Sequence, residues 1–179
     1  MGAYHALKRL LVDDVILPLA EMHEKKFCVL MEIEAGYKFT IRGLPDDTLI
    51  IKSDRFPTTK DVFFKSDHME CKRADYVLVS ESEKIIMFFE LKRSTKTASM
   101  NDVIAQLKGS KCVMDYCELI SAAFLGEYRI FNGYTLKYYR LIAITSRKRP
   151  FKNQQHSNNS PEDARTITDK NISYGGLLV

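Results

Sequence analysis

The segment Lys84 to Lys92, KIIMFFELK, constrains the fold more than any other part of the chain. Its inner residues are apolar without alternation, so a strand built from it must be covered on both faces. Such a strand sits inside a sheet, with a packed layer above and another below. Lys72 to Ser80 (KRADYVLVS) reads as a second strand just upstream, with Ser80 to Lys84 as the polar turn between them. Downstream, Asn101 to about Phe124 predicts a long helix, capped by Asn101 or Asp102. Val103, Leu107, Ser110, Met114, Cys117, Ser121 and Phe124 fall on one stripe of it, and the two serines suit close packing on a sheet. Tyr134 to Ser146 (YTLKYYRLIAITS) predicts a further strand.

The flanks are less regular. Leu7, Leu11, Val15, Leu19 and Met22 predict a helix over residues 4 to 25, kinked or broken near Leu17 by Pro18. From Phe27 to Phe64 the pattern is strand-like. Lys38 to Arg42 alternates, Thr48 to Lys52 is β-rich, and Gly43, Pro45, Asp46 and Asp47 supply a turn between them. Asp61 to Lys65 reads as a short strand, Arg147 to Arg165 as an exposed polar loop, and Ala164 to Ser173 as a last strand. The expected architecture is one α/β domain over residues 1–179, with a mixed central β-sheet flanked by helices.

With 45% hydrophobic residues in 179, the chain can bury a sizeable core, which argues against a disordered segment. No apolar run approaches the roughly 20 residues of a membrane span. The charge of +4, from 27 basic and 23 acidic residues, permits a polyanionic partner without demanding one. Cys28, Cys71, Cys112 and Cys117 form no C-x-x-C pair and read as reduced thiols of a cytoplasmic protein.

The chemistry lies in the acids that interrupt the apolar strands. Glu90 and Lys92, two apart, share one face of a strand. If Ser80 pairs with Ile85 around a four-residue loop, Asp75 lies opposite Glu90, with Cβ atoms about 5 Å apart. A loop of another length shifts the register by one residue, and a bulge is then needed to restore the facing. Desolvating two carboxylates costs several kcal/mol each unless something compensates. A hard divalent cation, Mg²⁺ or Mn²⁺, could bridge them, and the Lys92 ammonium could balance part of the charge. That combination suits hydrolysis of a phosphate ester, with the cation polarising a phosphate oxygen and activating water. The plain alternative is a solvated Glu–Lys ion pair.

Asp75 followed by Glu90-Leu91-Lys92 at a strand end resembles the PD-(D/E)xK nuclease superfamily, with Ala74 where the motif's proline would stand. The resemblance covers Glu70 to Tyr116, a strand–turn–strand–helix context. It implies a restriction-endonuclease-like core and Mg²⁺- or Mn²⁺-dependent phosphodiester hydrolysis, with DNA ahead of RNA as substrate. It implies that Asp75, Glu90 and the Leu91 backbone carbonyl bind the metal, that Lys92 is the catalytic lysine, and that Gln106 faces the site from the next helix. It also implies an acid on the first helix, where Glu21 stands ahead of Glu24. Lys72, Arg73, Arg93, Lys96 and Lys108 lie near the motif, and Arg147, Lys148, Arg149 and Lys152 begin the polar loop. Phosphate contacts from such residues would be sequence-independent and salt-sensitive. There is no helix-turn-helix or zinc-finger signature, so specificity would come from shape, dimerisation or a partner subunit. The rival reading is a catalytically inactive module of the same fold that holds nucleic acid or a protein. Elsewhere, His68-x-x-Cys71 lacks the second half of a zinc site, no helix is expected after Gly175-Gly176 to make a phosphate loop, and Tyr134, Tyr138 and Tyr139 read as strand packing.

Overall fold

The computed structural model describes residues 2–57, 59–65, 67–94, 99–143 and 157–179. Helix α1 spans Ala3–Leu10 and is followed by short strands β1 (Ile16–Leu17) and β2 (Ala20–Met22). Strands β3 (Lys25–Glu32), β4 (Tyr37–Leu44) and β5 (Thr48–Lys52) come next. The hairpin β6 (Tyr76–Ser80) and β7 (Ile85–Lys92) leads into α2 (Met100–Ile120) and then β8 (Thr135–Ile142). Two short strands, β9 (Arg165–Ile167) and β10 (Asn171–Ser173), and a short helix α3 (Gly175–Leu178) follow. This is the α/β class expected, with mixed pairing in both of its sheets.

The larger sheet has the order β1-β5-β6-β7-β8-β9, and the smaller has β10-β4-β3-β2. In the larger sheet β7 and β8 are parallel, joined by α2 as the crossover, while β5, β6 and β7 are antiparallel. The double-sided apolar character of β7 is explained directly. Ile86 and Phe88 face the helices, whereas Ile85, Met87, Phe89 and Leu91 face the smaller sheet. The covering layers thus differ from the expectation of helices on both faces: one is helical and the other is a second sheet. Phe88 stacks on Tyr138 at 4.9 Å and Phe89 on Tyr139 at 5.2 Å, one pair in each layer. Such pairs add about 0.5–1.5 kcal/mol beyond their burial. Tyr138 and Tyr139 are strand packing, as their sequence setting suggested, whereas Tyr134 lies just before β8 and packs edge-on against Phe131.

The source of the second layer is the N-terminal region. Residues 4–25 do not form one helix, because α1 stops at Leu10. The segment beyond carries Val12, Val15 and Ile16, which are β-branched, and then Pro18, which lacks the N–H a helix needs. The chain instead turns at His23 and Glu24, both with positive φ (51° and 59°), and pairs β2 with β3. Positive φ at two consecutive positions is the geometry of a tight two-residue hairpin, usually supplied by Asn-Gly. His-Glu gives no such signal in the sequence.

Three other expectations change. Asp61 to Lys65 is a compact turn with a single bridge between Lys60 and Phe64, not a strand. The stretch from Ala164 to Ser173 splits into β9 and β10, which belong to different sheets. The expected loop over residues 147–165 lies partly outside the described residues; its remainder is anchored, with Asn158 and Pro161 buried. The long helix begins at an N-cap, Ser99, whose side chain accepts the Asp102 N–H at 3.1 Å. It ends by widening over Ser121–Leu125 before Gly126 turns left-handed. All of the predicted stripe is buried except Phe124.

Candidate active site

The β6–β7 hairpin has the register that the four-residue loop implies: Ser80 pairs with Ile85 and Tyr76 with Phe89. Asp75 comes immediately before β6, and carrying the register one residue past the Tyr76–Phe89 pair sets it opposite Glu90. On β6, Val77 and Val79 face the helices, and on β7 so do Ile86 and Phe88. Alternation sends Asp75, Glu90 and Lys92 to that same side, under α2. Asp75 Oδ2 accepts the Leu91 amide at 2.6 Å, fixing the first acid to the backbone between the other two residues.

A clamp from α2 holds the segment leading to Asp75. Ser110 Oγ accepts the Ala74 N–H at 2.8 Å and lies 2.9 Å from Ser53 Oγ. Ser53 in turn donates its Oγ–H to Ala74 O at 2.5 Å and its N–H to Asp75 O at 3.0 Å. The adjacent helix residue is Gly109, where an added Cβ would come within 1.8 Å of Lys72 O. A glycine here is what lets the helix touch this backbone. The helix thus sets the height of Asp75 above the sheet.

Glu90 is 1% exposed. Lys92 Nζ forms an ion pair with its Oε1, and no oxygen of the carboxylate has a fully formed hydrogen bond among the described residues. Desolvation raises its pKa to about 8; the nearby Asp75 charge adds to the rise, while Lys92 and the Gln106 side chain oppose it. Asp75 is partly exposed but also rises, to about 7, chiefly by desolvation. The Leu91 N–H and Lys92 oppose that shift, and Glu32 and Asp54 reinforce it. These are two acids held where their ionised forms are disfavoured until positive charge arrives.

The cleft is lined by Glu32, Glu34, Ala35, Tyr37, Asp75, Glu90, Leu91, Lys92, Arg93 and Gln106. Asp75, Glu90, Lys92, Arg93 and Gln106 were legible in the sequence. Gln106 enters from α2, and its Oε1 is buried without a hydrogen-bond partner among the described residues. Glu21 is not part of the cleft. It sits exposed on β2 opposite Lys26, because the helix expected to carry it is a hairpin instead. Glu24 lies in that hairpin's turn, also exposed. The acids that do reach the cleft from the N-terminal half are Glu32, at the end of β3, and Glu34, in the turn after it. Their only sequence signal is the spacing Glu32-x-Glu34 before a turn at Gly36.

The expected phosphate-binding residues are dispersed. Lys72 pairs with Asp102, and Lys108 with Glu162 at 2.6 Å. Arg73 bonds to the carbonyls of Glu70 and Lys72 and lies over the Phe56 ring, 5.4 Å away. Of this group Arg93 is the one that lines the cleft, and Lys96 lies outside the described residues.

Among the described residues, no three His, Cys, Asp or Glu side chains converge into a ready-made metal cage. The donor set does fit a hard cation that keeps most of its water, since Mg²⁺ is usually held by one or two carboxylates. The under-bonded oxygens of buried Glu90 are the specific observation in favour of that fit. Cys28, Cys71, Cys112 and Cys117 are all free thiols, and no described helix is long and apolar enough to cross a membrane. No family model, curated protein or solved structure matches the chain.

Proposed function

We propose that this chain is a metal-dependent nuclease that hydrolyses phosphodiester bonds, with DNA ahead of RNA as substrate. The observation that carries the reading is Glu90, buried and paired with Lys92, beside an Asp75 locked onto the Leu91 amide. A buried acid beside a partly exposed one, both with raised pKa values, is a poor structural device and a good cation trap. The connectivity also supports it. An antiparallel β5–β6–β7 unit, a crossover helix and a parallel β8 carry the acids at one end of the sheet, in keeping with a restriction-endonuclease-like core.

In this reading Asp75 and Glu90, with the Leu91 carbonyl, hold Mg²⁺ or Mn²⁺. The cation supplies Lewis acidity toward a phosphate oxygen and lowers the pKa of bound water. Lys92 stands within contact of Glu90 and offers an ammonium to the attacking water or to the charge that develops on the phosphate. Gln106 steadies Glu90 from the helix. Arg93, at the mouth of the cleft, offers a phosphate contact. A cytoplasmic setting and a single-domain organisation belong to the same proposal.

The test is incubation of plasmid and matched DNA and RNA oligonucleotides with Mg²⁺, Mn²⁺ or EDTA, using wild type and Lys92→Ala. The expected result is metal-dependent cleavage by the wild type, lost in the variant, with DNA cut faster. Metal-independent binding with no cleavage would overturn it in favour of a non-catalytic binding module.

A further inference from the structure

Arg140 lies on β8 between Glu90 of β7 and Thr166 of β9, and is the register partner of each. The three residues form one row across the sheet, on strands about 4.8 Å apart. Tyr138, two residues earlier, packs on the helical side, so alternation puts Arg140 on the side of Glu90, under α2. Its guanidinium turns away from Glu90 toward the outer strand. Nε and Nη2 donate to Thr166 Oγ1 at 3.3 and 3.0 Å, and Nη1 reaches Met100 Sδ, at the start of α2, at 3.5 Å. A guanidinium carries five N–H donors, so part of the fork stays uncommitted. The side chain is half-buried, and burial alone acts on its pKa, pushing it down; among the described residues no acid offsets the loss of water. Thr166 Oγ1, having accepted both bonds, keeps its own O–H to donate. The groups presented are donors and one is a partly desolvated cation, which is disfavoured until an anion arrives.

We infer that Arg140 and Thr166 hold a backbone phosphate of the substrate strand, beside the phosphate cut at Asp75 and Glu90. The inference rests on the nuclease reading above and gives it a direction: the bound strand leaves the acids across β8 toward β9. The two non-bridging oxygens of a phosphodiester match a guanidinium fork backed by a hydroxyl donor. The position favours a backbone phosphate over a free one. Arg140 is one strand away from Glu90, so the anion it takes is covalently part of what enters the cleft. Its charge is also available without cost to another contact. Lys72 and Lys108 must first leave Asp102 and Glu162, whereas Arg140 has no carboxylate to surrender among the described residues.

Binding of a labelled DNA duplex is followed by fluorescence anisotropy in EDTA over a range of salt, for wild type, Arg140→Gln, Arg140→Lys and Thr166→Val. Arg140→Gln is expected to lower the slope of log affinity against log salt by about 0.9, the share of one duplex phosphate, and Arg140→Lys to keep it. Single phosphates along the duplex are then replaced by neutral methylphosphonates, and the cut is mapped with wild type in Mn²⁺. One replacement beside the cut is expected to cost wild type about tenfold in affinity and Arg140→Gln nothing, a coupling that a purely structural arginine would not show. Thr166→Val leaves the charge in place and carries the same comparison if Arg140→Gln does not fold; its penalty at that position is expected to shrink. An unchanged salt slope in Arg140→Gln, or methylphosphonate penalties equal to wild type in both variants, overturns the inference. Metal-dependent cleavage without the coupling removes the phosphate contact and keeps the nuclease. Coupling at one phosphate without cleavage in any metal does the reverse.

Discussion

The hydroxyl of Tyr76 donates to the Met31 carbonyl at 2.8 Å and accepts the Met31 N–H at 3.2 Å. One side chain thus satisfies both polar groups of a residue in the other sheet. The neighbours of this pair in the chain are Asp75 and Glu32, and both line the cleft. The bond is therefore the mechanical link that brings the acid at the end of β3 to the acid before β6. Removing the hydroxyl leaves a backbone donor and acceptor without their partner, at a cost of about 1–3 kcal/mol. Tyr76→Phe is expected to lower stability by that amount in urea unfolding, and to weaken Mn²⁺ binding measured by calorimetry.

Glu32 acts on Asp75 through its charge, which raises the pKa of the partner. Glu32→Gln is expected to shift the Asp75 titration downward from about 7, read by carboxyl NMR. If Glu32 also helps to hold the cation, Mn²⁺ affinity falls in the same variant although Asp75 is more readily ionised. Unchanged or tighter binding would remove Glu32 from the ligand set and leave it as a pKa modulator.

The raised carboxyl values fix the sign of a pH effect. In the unfolded chain both acids titrate near pH 4; in the folded chain they titrate at about 7 and about 8. Between those limits the folded state binds more protons, so stability falls as pH rises through the window. In EDTA the melting temperature is expected to drop from pH 5 to pH 9, and Mg²⁺ should recover more of it at pH 9 than at pH 5. Glu90→Gln should flatten the metal-free profile and abolish the recovery.

Gly109→Ala places a methyl within 1.8 Å of the Lys72 carbonyl, a contact that the helix and the segment leading to β6 cannot both keep. Overpacking of this kind typically costs about 1–3 kcal/mol, partly offset by the roughly 1 kcal/mol that alanine gains over glycine in a helix. Net destabilisation in urea is expected, together with weaker Mn²⁺ binding because Asp75 moves with the segment. Ser110→Ala should show a similar loss through the Ala74 N–H it leaves unbonded.

The hairpin of Asp75 and Glu90 was legible because a strand's two-residue period and one loop length determine which side chains are opposite. The helix stripe was legible for the same kind of reason, since six of its seven members are buried. What the sequence does not carry is information that arises only when layers meet. Glu32 reaches the cleft through packing of two sheets, and Gly109 reads as an ordinary helix glycine until its neighbour is known. Glu21 shows the opposite error: the spacing of Leu7, Leu11, Val15, Leu19 and Met22 has a helical period, but only the first turns obey it. Pro18 and the β-branched residues before it outweigh the pattern.

The parallel pairing of β10 with β4, Asn171 against Thr40, joins residues separated by most of the polypeptide. As the chain leaves the ribosome, β4 must therefore wait with one flank unpaired while nearly everything else is synthesised. During that interval an open strand border is available to other nascent chains, so the yield of correctly assembled protein should depend on dilution and on holdase chaperones more than the modest size of the molecule would suggest.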